Sequence, residues 1–298
     1  MINKRIAIAG YGNIGHHAAA AVTAAPDLEL AGIIRRHDRG NLDGIPILNE
    51  QDDLATLGTV HAVLLCVPSR EVEKYATHYL KLGINTVDSF DIHSEIVPLR
   101  NRLTPIATAH SAVAIIAAGW DPGTDSLLRI ILEAAAPFGI TYTNFGPGMS
   151  MGHSVVARSK PGVKDAISLT IPLGTSLHRR MVYVELEPTA TLSAVTAAIK
   201  ADPYFANDEL HVQAVPSIAA LSDTGHGVTM TRKARSALSD NQLFTFDMRI
   251  NNPALTAQIM LSAARASFRQ PPSTYTLPEL PPIDLLPGSR EDIIERLV

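Results

Sequence analysis

Three glycines, two arginines and a scatter of aspartates are the residues whose types and spacing could do chemistry. Gly10, Gly12 and Gly15 spell G-x-G-x-x-G inside "IAIAGYGNIG", directly after an apolar run and directly before a helical one. In that context the pattern predicts a dinucleotide loop. Gly10 permits the tight turn, Gly12 lets a pyrophosphate approach the backbone, and Gly15 lets helix and strand pack closely. The helix N-terminus then offers unpaired N–H groups to the anion. The next apolar run ends in "GIIRRH", where an NAD-binding chain would carry a carboxylate for the ribose hydroxyls. Here Arg35 and Arg36 stand instead, followed by His37. A guanidinium fork suits a phosphate dianion by charge and by geometry, so the pair predicts the 2′-phosphate of NADP. Arg70, after "CVPS", could approach the same adenine side.

A second group of residues lies in three segments: "VDSFDIH" (87–93), "GWDPGTD" (119–125) and "NFGPGMSMGHS" (144–154). Each follows or ends an expected strand. Two belong to the carboxyl edge of the dinucleotide sheet, where ligands bind in open α/β folds. They place Asp88, Asp91 and Asp121 near the nicotinamide end. Buried carboxylates there need a cationic partner, and a substrate ammonium would serve.

Positioning these residues takes two domains. From residue 4 to about 120, nearly continuous apolar runs ("RIAIAG", "LELAGII", "HAVLLCV", "INTVDS", "AVAIIAAG") alternate with helical patterns such as "SREVEKYATHYLKLG". That order predicts a Rossmann-type, doubly wound parallel sheet over residues 1–120. Beyond Pro122 the pattern changes: "MVYVELE" and "LFTFDMRI" alternate as strands buried on one face should. Residues 121–252 are expected to form an α+β substrate and dimerisation domain on a mostly antiparallel sheet, interrupted by the helix "LSAVTAAIKAD". The segment 253–298 is expected to pack back on the first domain. In it a helix is followed by an extended strap carrying six prolines up to Pro287, then by a capped helix at "SREDIIERLV".

Bulk properties narrow the partners. At 298 residues, 46% of them apolar, the chain can bury a sizeable core. A formal charge of −4 and no recurring basic stripe argue against nucleic acid. No apolar stretch approaches a membrane span, and the first one runs straight into a glycine turn rather than a cleavage signal. The single cysteine, Cys66, excludes an intrachain disulfide, and within "HAVLLCVP" it reads as a small buried side chain. No histidine spacing suits a metal, so none is expected. The expectation is a soluble cytoplasmic protein.

Taken together, "AIAGYGNIG", "PDLELAGIIRR", "LLCVPS", "TVDSFDIH", "GWDPG", "FGPGMSMGHS" and the pair His226–Gly227 resemble the meso-diaminopimelate dehydrogenases over essentially the whole chain. "GWDPG" and "FGPG…GHS" are specific to that family, whereas the glycine fingerprint is widely shared. The chain is compact between residues 172 and 226 and is similar to the shorter members, which also aminate simpler 2-keto acids to D-amino acids. The resemblance implies an NADP-dependent oxidative deamination at the D-centre of meso-2,6-diaminopimelate. The products are ammonia and L-2-amino-6-oxopimelate, which cyclises to tetrahydrodipicolinate, a precursor for lysine and cell wall. A homodimer is implied as well.

Residue by residue, the resemblance assigns Asp91 and Asp121 to the reacting amine. Backbone groups of Met151 and Gly152 meet its carboxylate, and Trp120 and Phe145 wall the pocket. Thr170, Arg180, His226 and Asn252 grip the distal L-amino acid end. Alternation along "RMVYVEL" lets only one of Arg179 and Arg180 face inward, and the family pattern selects Arg180. The cofactor set takes Tyr11, Asn13 and Ile14 beside the glycines. It adds Cys66, Val67, Pro68 and Ser69 beside Arg70, and Ser89, Phe90, Pro122 and Gly123 beside Asp121. Hydride can leave only from the neutral amine, and an aspartate near its ordinary pKa of ~3.9 is a poor base. The aspartates are therefore expected chiefly to position the amine while solvent or a paired carboxylate takes the proton. Other readings share the cofactor features: a dihydrodipicolinate reductase, or a non-catalytic NADP-binding sensor. A semialdehyde dehydrogenase would need a nucleophilic cysteine in the second domain, and a sugar dehydrogenase a Lys–Pro pair after the fifth strand; both are absent.

Overall fold

Strands apolar on both sides must be covered on both sides, and the first of two compact units is built that way. The computed structural model describes residues 3–221 and 225–298. One unit comprises the chain up to Ile130 together with Pro253–Val298, and the other comprises Ile131–Asn252.

In the first unit the order is β1 (Lys4–Ala9), α1 (Asn13–Ala24), β2 (Leu28–Arg35), β3 (Gly40–Leu42), β4 (Ile45–Asn49) and β5 (Ala62–Leu65). Then come α2 (Ser69–Lys81), β6 (Asn85–Asp88), α3 (Ile96–Ala109), β7 (Val113–Ile116) and α4 (Thr124–Ala135). The division between units falls inside α4 rather than at residue 120.

The sheet has eight strands in the order β15-β7-β6-β5-β1-β2-β4-β3, where β15 is Ser273–Thr276. Alternate residues of each strand serve opposite faces. Ile6, Ile8, Leu64 and Ile115 pack with Val22 of α1 and with Met260 and Leu261 of the late helix Asn252–Ser267. Ala7, Val63, Leu65 and Ile116 pack with Tyr75, Leu80, Leu99 and Leu103 of α2 and α3. The β3–β4 hairpin, not expected from the sequence, turns at Asp43–Gly44, both at positive φ (51° and 90°), the turn an Asp-Gly pair favours.

The expected proline-rich strap contains a strand after all. β15 pairs in parallel with β7, Ser273 opposite Val113 through Thr276 opposite Ile116. The six prolines flank these four residues instead of entering them, so the ladder keeps its N–H donors.

The second unit holds β8 (Phe138–Phe145), β9 (Gly148–Met149), α5 (Met151–Arg158), β10 (Val163–Gly174) and β11 (Leu177–Leu186). It continues with α6 (Leu192–Lys200), β12 (Glu209–Ala214), β13 (Gly225–Ser236) and β14 (Ser239–Asn251). Two sheets stand where one was expected: a four-stranded β12-β11-β10-β9 and a three-stranded β14-β13-β8. β11 and β12 run parallel because α6 carries the chain back across. Val156, Ala157, Val182, Val184, Val195 and Phe205 fill the space between the four-stranded sheet and its helices. The chain then returns to the first unit through α7 (Asn252–Ser267), β15 and α8 (Arg290–Leu297), the last capped by Ser289 Oγ accepting from Asp292 N.

Candidate active site

The glycine loop is dictated by close backbone approach. At Gly10 φ is +93°, and a Cβ would lie 2.3 Å from the Cys66 carbonyl oxygen; at Gly15 it would lie 2.3 Å from the Gly10 carbonyl oxygen. At Gly12 a Cβ would meet nothing within 4 Å. Gly12 caps α1 with no side-chain hydrogen bond, so the N–H groups of the first turn, which holds Asn13 and Ile14, are left for a ligand. An open backbone face at an uncapped helix N-terminus fits a pyrophosphate. Cys66 closes the loop from β5, and burial pushes its thiol up to about 12, which makes it inert.

Beside the glycine loop, Tyr11 stacks on His16 with ring centroids 3.9 Å apart, and the Arg35 guanidinium lies 6.0 Å from the Tyr11 ring. Sequence gave no reason to single out His16. Both arginines are half-exposed and already face carboxylates: Arg35 Nη1 is 2.8 Å from Asp38, and Arg36 Nη2 is 3.7 Å from Glu71. His37 is exposed beside them. Val67 and Pro68 lead into α2, whose first residues are Ser69 and Arg70.

Asp88, Asp91 and Asp121 differ in environment. Asp88 is fully buried at the end of β6, its Oδ1 accepting from the N–H groups of Phe90 (2.9 Å) and Ala117 (3.1 Å). Burial pushes it up to about 7 against those two donors, which occupy Oδ1. Ser89 and the buried Phe90 follow it. Asp91 Oδ1 accepts from Ser69 Oγ at 2.6 Å, which ties the end of β6 to the start of α2. Asp121 is 12% exposed and already has a cationic neighbour: Arg129 Nη1 donates to it at 3.1 Å, with His93 Nε2 at 3.9 Å.

The turn that presents Asp121 is tight. Gly119 N donates to the Pro122 carbonyl at 3.1 Å, and at Gly123, with φ +143°, a Cβ would lie 2.1 Å from the Gly119 oxygen. Trp120 is buried within it. Just beyond, Asp125 is fully buried in the first turn of α4, 3.6 Å from Arg129 Nη2. Burial, and then the charge of Asp121, push it up to about 8 against the pull of Arg129. Sequence reasoning missed this carboxyl. The signal was the i, i+4 spacing of Asp125 and Arg129 on one helix, an ordinary surface pairing until burial is known.

In the second unit, Thr170 and Arg180 stand directly opposite each other on β10 and β11, and Arg180 Nη1 donates to Thr170 Oγ1. Arg180 is 13% exposed, while Arg179 pairs on the other face with Glu209 at 2.8 Å. Arg180 Nε donates to Asp208 Oδ2 at 2.7 Å, a partner that sequence reasoning did not find. Phe145 N donates to His178 Nε2 at 2.8 Å, and burial holds that imidazole below its usual range. Met151 and Gly152 open α5 after Ser150, so their N–H groups lie in an unpaired first turn. His226 is buried on β13 opposite Ile250, and Asn252 is buried where β14 passes into α7.

Residues 4–87 match an oxidoreductase family with an NAD-binding Rossmann fold, and residues 119–252 match the diaminopimelic acid dehydrogenase C-terminal domain. Over the full length of both chains the sequence is 56% identical to a meso-diaminopimelate D-dehydrogenase of Bacteroides fragilis. Among solved structures it is similar to the diaminopimelate dehydrogenase of C. glutamicum in complex with DAP. The TM-score is 0.91 and the identity 28%, covering 100% of each chain. It is also similar to an engineered D-amino acid dehydrogenase bound to NADP+, with TM-score 0.89 and identity 27%, covering 99% of this chain and all of that one.

Proposed function

The chain belongs to the meso-diaminopimelate dehydrogenase family, and from that premise we propose how its own residues divide the work of a reversible, NADP-dependent oxidative deamination of meso-2,6-diaminopimelate. Gly12 and the first turn of α1 take the pyrophosphate, and Arg35 and Arg36 exchange Asp38 and Glu71 for the 2′-phosphate. When bound, NADP+ accepts the hydride from the D-configured carbon. Asp91 and Asp121 hold the amine on that carbon, and the N–H groups of Met151 and Gly152 take its carboxylate. Trp120 and Phe145 wall the pocket, and Thr170, Arg180, His226 and Asn252 hold the distal amino acid end.

The observation that carries this division is the turn at 119–123, which presents a nearly buried Asp121 at the carboxyl edge of the nucleotide sheet. An ammonium held there must lose a proton before its carbon can lose hydride. Solvent takes that proton; Asp125, beside Arg129, cannot, because burial already keeps its own carboxyl protonated up to about pH 8. Water then adds to the iminium carbon, and ammonia leaves. The reverse direction extends to 2-keto acids, giving D-amino acids.

NADPH formation from meso-, LL- and DD-diaminopimelate, with D- and L-alanine as controls, tests the substrate. Turnover of the LL isomer but not the meso isomer would overturn it. Asp121→Asn keeps the shape and removes the charge, so turnover should collapse while NADP+ affinity stays; wild-type rates in both Asp121→Asn and Asp91→Asn would displace the amine site.

The same reading takes the enzyme to be a homodimer working in the cytoplasm. Ile131, Phe138, Ile140, Leu177 and Leu243 of the second unit are each more than half exposed, apolar surface that a second copy would cover. Sedimentation should return about twice 31.9 kDa, and a monomer at micromolar concentration would refute the dimer. A lone cysteine kept as a thiol accords with a reducing compartment, and no helix among the described residues is long and apolar enough to cross a membrane.

A further inference from the structure

The reading of Arg180 as the distal anchor leaves its neighbour unexplained. Asp208 lies just before β12, and its Oδ2 receives Arg180 Nε at 2.7 Å. Both side chains are largely buried, at 13% and 16% exposure. Asp208 is itself held from behind. His153 Nε2 lies 3.4 Å from the same Oδ2 and 2.8 Å from the Tyr204 carbonyl, while Ser150 Oγ lies 2.9 Å from His153 Nδ1. A carbonyl can only accept, so Nε2 carries a proton and donates to the Tyr204 oxygen. Asp208 Oδ1 and Arg180 Nη2 make no hydrogen bond among the described residues.

The charge balance is the telling part. If Arg180 served only to attract a carboxylate, a buried carboxylate bonded to it would work against that purpose, because the pair is already neutral. An anion alone would bring an unbalanced charge into a poorly hydrated place. An α-amino acid end brings none. Its carboxylate suits the open Nη2 side of Arg180, and its ammonium suits Oδ1 of Asp208.

We propose that Asp208 is a specificity residue of this enzyme: it fixes Arg180 through Nε and offers Oδ1 to the distal ammonium, so that the pair accepts a whole amino acid zwitterion in preference to a carboxylate alone. His153 positions Asp208 from the opposite side. The proposal rests on Arg180 holding the distal end.

The test compares meso-diaminopimelate with D-2-aminopimelate, which keeps the chain length and the distal carboxylate but lacks the distal amine. With full-length enzyme and NADP+ at pH 8, the wild type should favour diaminopimelate in kcat/KM. Asp208→Asn should lower kcat/KM for diaminopimelate by roughly tenfold or more, mostly through KM, and lower that for aminopimelate much less. Asp208→Glu should restore part of the preference. Unchanged NADP+ affinity and melting temperature in these variants would separate the effect from damage to the fold. Equal kcat/KM for the two substrates in the wild type, or parallel losses on both in Asp208→Asn, would overturn the proposal. Arg180→Ala separates the two layers: raised KM for both substrates, with the preference intact in Asp208→Asn, sinks Asp208 alone. An unchanged diaminopimelate KM in Arg180→Ala sinks the distal anchor itself.

Discussion

At the scale of single residues, Arg35 and Arg36 are half-exposed and already near carboxylates, so the phosphate proposed for them would compete with Asp38 and Glu71. Charge-assisted bonds to a dianion are worth roughly 1.5–3 kcal/mol each, and solvent exposure favours the lower end. Replacing both Arg35 and Arg36 with alanine should raise KM for NADP+ roughly tenfold or more and leave KM for NAD+ nearly unchanged. An unaltered ratio of the two would refute the phosphate assignment. Asp125 and Asp88 make a different prediction, about stability. Burial raises both carboxyls, to about 8 and about 7, so the folded chain keeps protons that the unfolded chain releases near pH ~4. Folding then binds protons, and stability falls as pH rises from that point to about 8. Asp125→Asn removes one of these groups. Its melting temperature should decline less between pH 5.5 and 8.5 than that of the wild type, and parallel slopes would show that Asp125 ionises freely in the fold.

At the scale of elements, the turn between β7 and α4 orients Asp121 and Asp125 together, because Asp125 N donates to the Trp120 carbonyl and Thr124 N to that of Gly119. Gly123→Ala would force a Cβ to within 2.1 Å of a backbone oxygen at a φ that other residues avoid. It should destabilise the chain by about 2 kcal/mol or more and cut turnover beyond what the stability loss explains. A denaturation midpoint equal to wild type would mean that the turn relaxes without cost. Such turns also show what was legible in sequence. The nucleotide sheet could be read because Ile6, Ile8, Leu64 and Ile115 serve one face while Ala7, Val63, Leu65 and Ile116 serve the other, leaving apolar runs without gaps. The second unit was harder. A half-buried strand leaves a period-two trace, but nothing in "MVYVELE" states whether its neighbour runs parallel, so the two sheets merged into one. β15 was hidden by the prolines on either side of it, and α5 by the glycines before it. Among the residues of the candidate site, glycines and arginines announce themselves by type. Asp125 and Asp208 do not, because their meaning depends on burial and on partners distant in the chain.

At the scale of the whole molecule, the order of assembly follows from a connection described above. β15 completes the sheet beside β7, and Ala257, Met260, Leu261 and Ala264 of α7 pack against Ile6, Ile8 and Ile115. A ribosome delivers those partners at opposite ends of its work, at about 5–20 residues per second. The second unit is one unbroken stretch, Ile131–Asn252, and holds its own apolar cluster. Synthesis therefore reverses the usual sequence of events: the part translated first must wait, with strands formed but one face uncovered, while the part translated later closes. A chain stalled once Asn252 has cleared the exit tunnel should show protease-resistant fragments from the second unit and rapid cleavage in β1–β7, with protection of the nucleotide unit arriving only once residues beyond Thr276 also leave it. Equal protection of both units in the stalled chain would show that the sheet holds without its last strand. The wait also sets a vulnerability, since a nascent nucleotide domain with an open edge at β7 offers that edge to any neighbouring chain in the same state.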